Sequence, residues 1–86
     1  MPEICRFYGI IIKMYFGDHN PPHFHVEYGD DGALISINTL GVIAGNLPPR
    51  VMGMVAEWAS MHRDELLADW ERSRNLVPLQ KIGPLP

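Results

Sequence analysis

The sequence predicts an α+β fold: a four-stranded antiparallel meander with two C-terminal helices packed on one face. Two observations predict it. The first half of the chain has runs of β-branched and aromatic residues separated by short turns rich in Gly, Asp and Asn, which is typical of antiparallel strands. The second half has apolar residues at intervals of three and four, which is typical of helices. A length of 86 residues corresponds to one domain, residues 1–86.

Four strands are predicted in chain order. The first is long and contains Gly9 as a bend, since glycine inside a strand often marks one. Polar turns at 29–32 and 38–41 separate the later strands. The predicted strands span about 4–16, 23–28, 33–37 and 42–45.

Two helices are predicted after Pro48 and Pro49, because proline is well tolerated in a first helical turn. They span about 49–61 and 64–75, with a break near His62 where the apolar stripe changes direction. Asp64 is the expected N-cap of the second helix. The tail, about 78–86, is expected to lie extended over the core or on a partner.

The composition limits the classes of function. A net charge of −3 gives no general attraction to nucleic acid or to anionic lipid, although it does not exclude a nucleic-acid partner. The single cysteine, Cys5, cannot form an internal disulfide, which favours a cytoplasmic location. We recognise neither a signal peptide nor an apolar run long enough to cross a membrane. So short a chain is expected to gain stability from a partner or from self-association.

Three of the four histidines lie in one stretch, residues 17–28. Side chains alternate between the two faces of a strand. The predicted second strand therefore has an apolar face turned to the core and a face of imidazoles and a carboxylate opposite it. The polar face carries His23, His25 and Glu27, and the apolar face carries Phe24, Val26 and Tyr28.

Two functional interpretations of this stretch remain open. In the first, His19, His23 and His25 bind zinc or another divalent transition metal, with Glu27 as an alternative third ligand or a general base. In the second, no metal is needed: His23 and His25 act as general acid and base on RNA, assisted by Lys13 and Tyr15.

A third interpretation gives these residues no chemistry, because His-x-His on a strand can be a solvated polar face. Asp18 then forms an Asx-turn and has no further role. The stiff diproline at Pro21 and Pro22 favours a site, since rigidity at a histidine is useful for positioning.

The chain resembles a bacterial family known only as domain of unknown function 4160. The resemblance covers about residues 2–82, and its most specific part is the Pro-Pro-His-Phe-His run at 21–25. The other motifs that carry it are residues 1–4, 6–10, 18–28, 47–50, 57–59 and 62–66.

The resemblance implies no established activity. It implies a small bacterial protein, often encoded beside a second small protein in an arrangement similar to toxin–antitoxin pairs. The first expected function is therefore a partner-binding component of such a two-gene module. The alternatives are a metal- or histidine-dependent hydrolase of phosphodiesters, and a metal- or pH-sensing module without turnover. Whether the protein is an enzyme stays open at this point.

Overall fold

The sheet consists of five antiparallel strands, ordered as they follow one another along the chain. The computed structural model describes residues 3–86. Each strand pairs with its neighbours in sequence, so the sheet is a meander. The predicted α+β class is confirmed, but the predicted number of four strands is wrong. The strands are β1 (Glu3–Phe7), β2 (Ile10–Lys13), β3 (His23–Tyr28), β4 (Asp31–Ser36) and β5 (Val42–Asn46).

The additional strand arises because the chain reverses at Tyr8 and Gly9, inside the segment 4–16 that was predicted as one strand. The backbone angle φ is 50° at Tyr8 and 78° at Gly9. The commonest two-residue hairpin turn needs positive φ at both positions. Glycine adopts it readily, but tyrosine rarely does, so the sequence gives only half of the turn signal. The reversal places Phe7 opposite Ile10 on one face, where a continuous strand would separate them.

Two helices follow the sheet: α1 (Pro49–Met61) and α2 (Arg63–Arg74). A single residue, His62, separates them and occupies the N-cap position of α2. The predicted N-cap at Asp64 is wrong. Asp64 lies instead in the first turn, where the helix dipole favours a negative charge. Within residues 3–86 no helix is long and apolar enough to cross a membrane.

The core lies between one face of the sheet and the helices. Strand pairing aligns Phe7 with Ile10 and Phe24 with Ile35 on that face, and all four side chains are buried. Trp58 of α1 packs against Phe7 and Phe24, with ring centroids 5.6 and 6.0 Å away. The opposite face of the sheet carries His25 and Glu27, whose side chains are 28% and 45% exposed, and it is the open face among residues 3–86.

The two edges of the sheet differ. The tail runs beside β1, where the amide of Ile82 donates to the carbonyl of Ile4 at 2.9 Å. The indole N–H of Trp58 donates to the carbonyl of Gly83, the residue after Ile82, at 2.7 Å. At the other edge, all five residues of β5 are exposed. The tail therefore covers one edge of the sheet, and β5 forms the uncovered one.

Candidate metal centre

Three potential metal ligands converge where the loop 14–22 meets the start of β3. Nε2 of His23 lies 2.9 Å from Oδ2 of Asp18, and Nε2 of His25 lies 3.2 Å from the same oxygen. One ligand atom from each of the three residues lies within 4.8 Å of the others. Two ligands of a tetrahedral zinc ion, each about 2.0–2.1 Å from the metal, are roughly 3.3 Å apart. The three side chains therefore fit one small cation.

Backbone contacts of the diproline loop orient the ring of His23. Its Nδ1 lies 2.8 Å from the carbonyl oxygen of Pro21, which can only accept a hydrogen bond. Nδ1 therefore donates to this carbonyl, and Nε2 faces Asp18. The loop is itself tied to the sheet, because the carbonyl of Pro22 accepts from the amide of Ile37 at 3.0 Å. A backbone carbonyl that accepts from the second nitrogen is one of the usual ways in which proteins orient metal-binding histidines.

Asp18 divides its two carboxylate oxygens between the loop and the imidazoles. Oδ1 accepts from the backbone amide of His19 at 2.9 Å, and Oδ2 faces the two rings. Burial raises the pKa of the Asp18 carboxyl. Hydrogen bonds from the His19 amide and the His25 ring, with the charge of His23, outweigh burial and lower this pKa below its usual value. Asp18 is therefore a carboxylate at neutral pH, as a metal ligand must be.

Two aromatic rings enclose the histidines. The ring of His23 packs against Trp70 of α2 at a centroid distance of 5.2 Å, and the residue is only 7% exposed. The rings of His25 and Tyr15 are nearly perpendicular with their centroids 4.5 Å apart, and 28% of the His25 side chain is exposed. The site is thus closed towards α2 and open towards the uncovered face of the sheet.

The predicted residues Lys13 and Glu27 lie on that same face and bind each other. Lys13 Nζ is 2.9 Å from a carboxylate oxygen of Glu27. The hydrogen bond to Glu27 raises the pKa of the Lys13 ammonium group, which keeps it cationic. Lys13 is paired with His25 across β2 and β3, so its charge lies beside the ligand cluster.

The structure brings Asp18, and not His19, to His23 and His25. His19 is exposed, and it contributes its backbone amide to Asp18. Sequence reasoning assigned Asp18 only a turn, because the Asx-turn explains an aspartate in a loop. The residue does make that local contact, with its other oxygen facing the rings. The signal that could have found Asp18 is its position in the stiff loop that leads directly into the histidine pair of β3.

The fold and the cluster together define a small α+β protein with two imidazoles and one carboxylate at the edge of an open sheet face. Residues 9–71 match the family described as a domain of unknown function (DUF4160), and the chain belongs to this family. The resemblance noted in the sequence is thereby confirmed. No curated protein and no solved structure matches the chain.

Proposed function

We propose that this protein binds a divalent transition metal, zinc above all, through Asp18, His23 and His25, and uses it to hydrolyse a phosphodiester such as RNA. The supporting observation is the approach of two Nε2 atoms to a single carboxylate oxygen, at 2.9 and 3.2 Å. The Nδ1–H of His23 is directed at Pro21, so Nε2 is the ring atom that faces Asp18 and is available to a metal ion. A bound cation would take the place of the proton shared between Nε2 and the carboxylate.

The surroundings of the cluster favour hydrolysis. Three protein ligands leave a coordination position for water, and zinc can lower the pKa of bound water to about 7. A substrate can reach the cluster from the open sheet face beside His25. Lys13 supplies a positive charge there for a phosphate oxygen, if the substrate displaces Glu27 from its ion pair.

Metal binding is tested directly with cobalt(II), whose visible spectrum reports nitrogen and oxygen ligands. The protein is purified without a histidine tag, and one bound ion per chain is expected. Asp18→Asn and His25→Gln, which preserve side-chain size, should weaken binding by at least about tenfold. His19→Gln is the matched control and should bind like the wild type. Equal binding by the wild type and Asp18→Asn, with unchanged circular dichroism, would refute the site.

Turnover is tested on an activated phosphodiester and on RNA, with and without a chelator. Hydrolysis that a chelator stops and zinc restores supports the proposal. Activity that survives the chelator favours metal-free acid–base catalysis by His23 and His25. Metal binding without turnover favours a sensing module.

A second candidate function is partner binding within a two-gene, toxin–antitoxin-like module, and the uncovered β5 edge favours it. Val42 and Ile43 are 48% and 45% exposed, and β5 contains neither a charged residue nor a proline. Such uncharged edges pair readily with strands of another chain. The strand pairing shifts register opposite Leu34 and Ile35, which restricts how a partner strand can align. The partner is a small protein encoded nearby or a second copy of this chain.

Co-expression with the product of the neighbouring gene tests this second candidate. The partner should co-purify with the wild type and be lost from Ile43→Lys, because a lysine on an edge strand opposes pairing. Light scattering of the chain alone distinguishes self-association. A monodisperse monomer that captures no partner would exclude the role, and it would leave metal binding untouched.

A further inference from the structure

A second concave surface lies at the far end of β3 from the metal ligands. It is a groove of about 720 Å³ between the β1–β2 turn, the first turns of α1 and the end of the tail. This volume is within the range of ligand-binding clefts. Its lining includes Tyr8, Tyr28, Arg50, Met54, Glu57 and Leu85.

Tyr8 occupies an unfavourable backbone conformation and exposes its ring at this groove. Its φ is 50°, and the residue is 62% exposed, so little packing compensates for the strain. Residues held in sparsely populated backbone conformations cluster at functional sites. Tyr28 lies beside it: a side chain at Gly9 would come within 3.6 Å of the Tyr28 ring. Two tyrosine rings therefore flank one end of the groove.

The tail shows which kind of chain this surface accepts. Leu85 and Pro86, the last two residues of the tail, line the groove, and Leu85 packs on the core. The indole N–H of Trp58, which is buried outside the groove, fixes the tail by donating to the carbonyl that precedes Pro84. Grooves lined by aromatic side chains recognise proline-rich segments in extended form.

Two charged side chains on α1 set the distance that should separate two opposite charges on a ligand. Arg50 and Glu57 are both exposed, and neither forms an ion pair with another residue of the described range 3–86. They are seven residues apart, or about 10.5 Å along a helix at 1.5 Å per residue. A polyproline II chain has three residues per turn and rises about 3.1 Å per residue, so its side chains three positions apart lie on one side, about 9.3 Å from each other.

We propose that this groove binds an extended, proline-containing segment of a partner protein that carries an acidic and a basic residue three positions apart. The acidic side chain meets Arg50 and the basic one meets Glu57, while prolines pack on Tyr8 and Tyr28. The proposal goes beyond both candidate functions, since it needs neither the metal nor the β5 edge. Failure of the peptide-binding test would therefore leave the metal-binding and co-expression tests unaffected, and the reverse holds as well.

The probe is a short fluorescent polyproline peptide with glutamate and lysine three positions apart, and its anisotropy is followed as the full-length protein is added. A matched peptide carries the same two charges on adjacent positions, which point to different sides of the polyproline helix. We expect the matched peptide to bind about tenfold more weakly, because it engages one charge at a time. Equal affinity for the two peptides would overturn the proposal.

Three variants test the residues that line the groove. Arg50→Glu should weaken binding of the spaced peptide about tenfold or more, whereas Arg74→Glu, an identical charge change on α2, should not alter it. Tyr8→Asn should weaken binding while raising the thermal midpoint, a combination that a purely structural tyrosine would not give. Wild-type affinity in either Arg50→Glu or Tyr8→Asn would overturn the proposal.

Single-stranded RNA is the alternative ligand for exposed tyrosines beside an arginine. Binding of labelled RNA is therefore measured in parallel, and RNA and the spaced peptide are also tested in competition for the protein. The proposal expects the peptide to bind and RNA not to displace it. RNA binding that depends on Tyr8, with no binding of the peptide, would replace the peptide with a nucleic acid and overturn the proposal.

Discussion

The indole N–H of Trp58 donates to the carbonyl of Gly83, whereas the buried indole N–H of Trp70 has no acceptor among residues 3–86. Both tryptophans are almost fully buried. The first one joins the tail to the core, and the second packs against the ring of His23. One fold thus contains two buried indoles that differ in whether the polar atom is satisfied.

This difference predicts unequal costs for the same substitution. Trp→Phe removes a similar volume at both positions. Only at position 58 does it also remove a hydrogen bond, and the carbonyl of Gly83 then keeps a single weaker donor, the Cys5 thiol. We expect Trp58→Phe to lower the free energy of unfolding by about 1–2 kcal/mol more than Trp70→Phe. Urea unfolding followed by circular dichroism measures both. Equal losses in the free energy of unfolding would mean that the Trp58–Gly83 hydrogen bond contributes no net stability.

Relief of strain in the β1–β2 turn should stabilise the fold. Tyr8→Asn places a residue that tolerates positive φ before Gly9, which gives the Asn-Gly pair preferred in such turns. The free energy of unfolding should rise by about 0.5–1 kcal/mol. Gly9→Ala is the opposing control: it should destabilise by about 1 kcal/mol, because φ is 78° there. A destabilised Tyr8→Asn would show that the ring contributes more by packing than its conformation costs.

Metal binding should be visible as stability. A ligand that binds only the folded chain stabilises it by about 2.7 kcal/mol at a hundred times its Kd. For a domain of this size that is a rise of roughly 10–20 °C in Tm. Calorimetry with zinc and with a chelator should show this rise in the wild type and in His19→Ala, and lose it in Asp18→Asn. The rise should diminish at acidic pH, where protons compete with the metal for the imidazoles.

The alternation of side chains around His23 predicted the strand and the burial of Phe24 and Val26, because burial on one side fixes register strongly. Two side chains differ from the prediction: Tyr28, expected to face the core, is exposed at the end of the strand, and His23, expected on the polar face, is buried against Trp70. The helices were predictable for the same reason, from the spacing of Val55, Trp58, Leu66 and Trp70. Loop geometry was not predictable in this way. Whether Asp18 or the adjacent His19 turns inward depends on a backbone path that the alternation of side chains does not encode.

The tail should depend on one buried carboxylate. Asp69 is 0% exposed, and its Oδ1 accepts from Arg72 at 2.7 Å and from the amide of Gln80 at 2.9 Å. Removing one partner of a buried ion pair costs about 3–5 kcal/mol. Arg72 is 30% exposed and can turn to water, so we expect Asp69→Ala to cost nearer about 2 kcal/mol.

Hydrogen exchange distinguishes release of the tail from general loss of stability. In Asp69→Ala the amides of Gln80 and Ile82 should exchange faster, since the first loses its acceptor and the second depends on the position of the tail beside β1. The exchange rates of amides in the middle of β3 should change only as far as the global free energy of unfolding changes. The control is Glu71→Ala, whose carboxylate is 66% exposed and lies 3.9 Å from Arg74. It should change stability by less than about 0.5 kcal/mol. Uniform acceleration along the chain in Asp69→Ala would show that the tail and the sheet unfold as one unit.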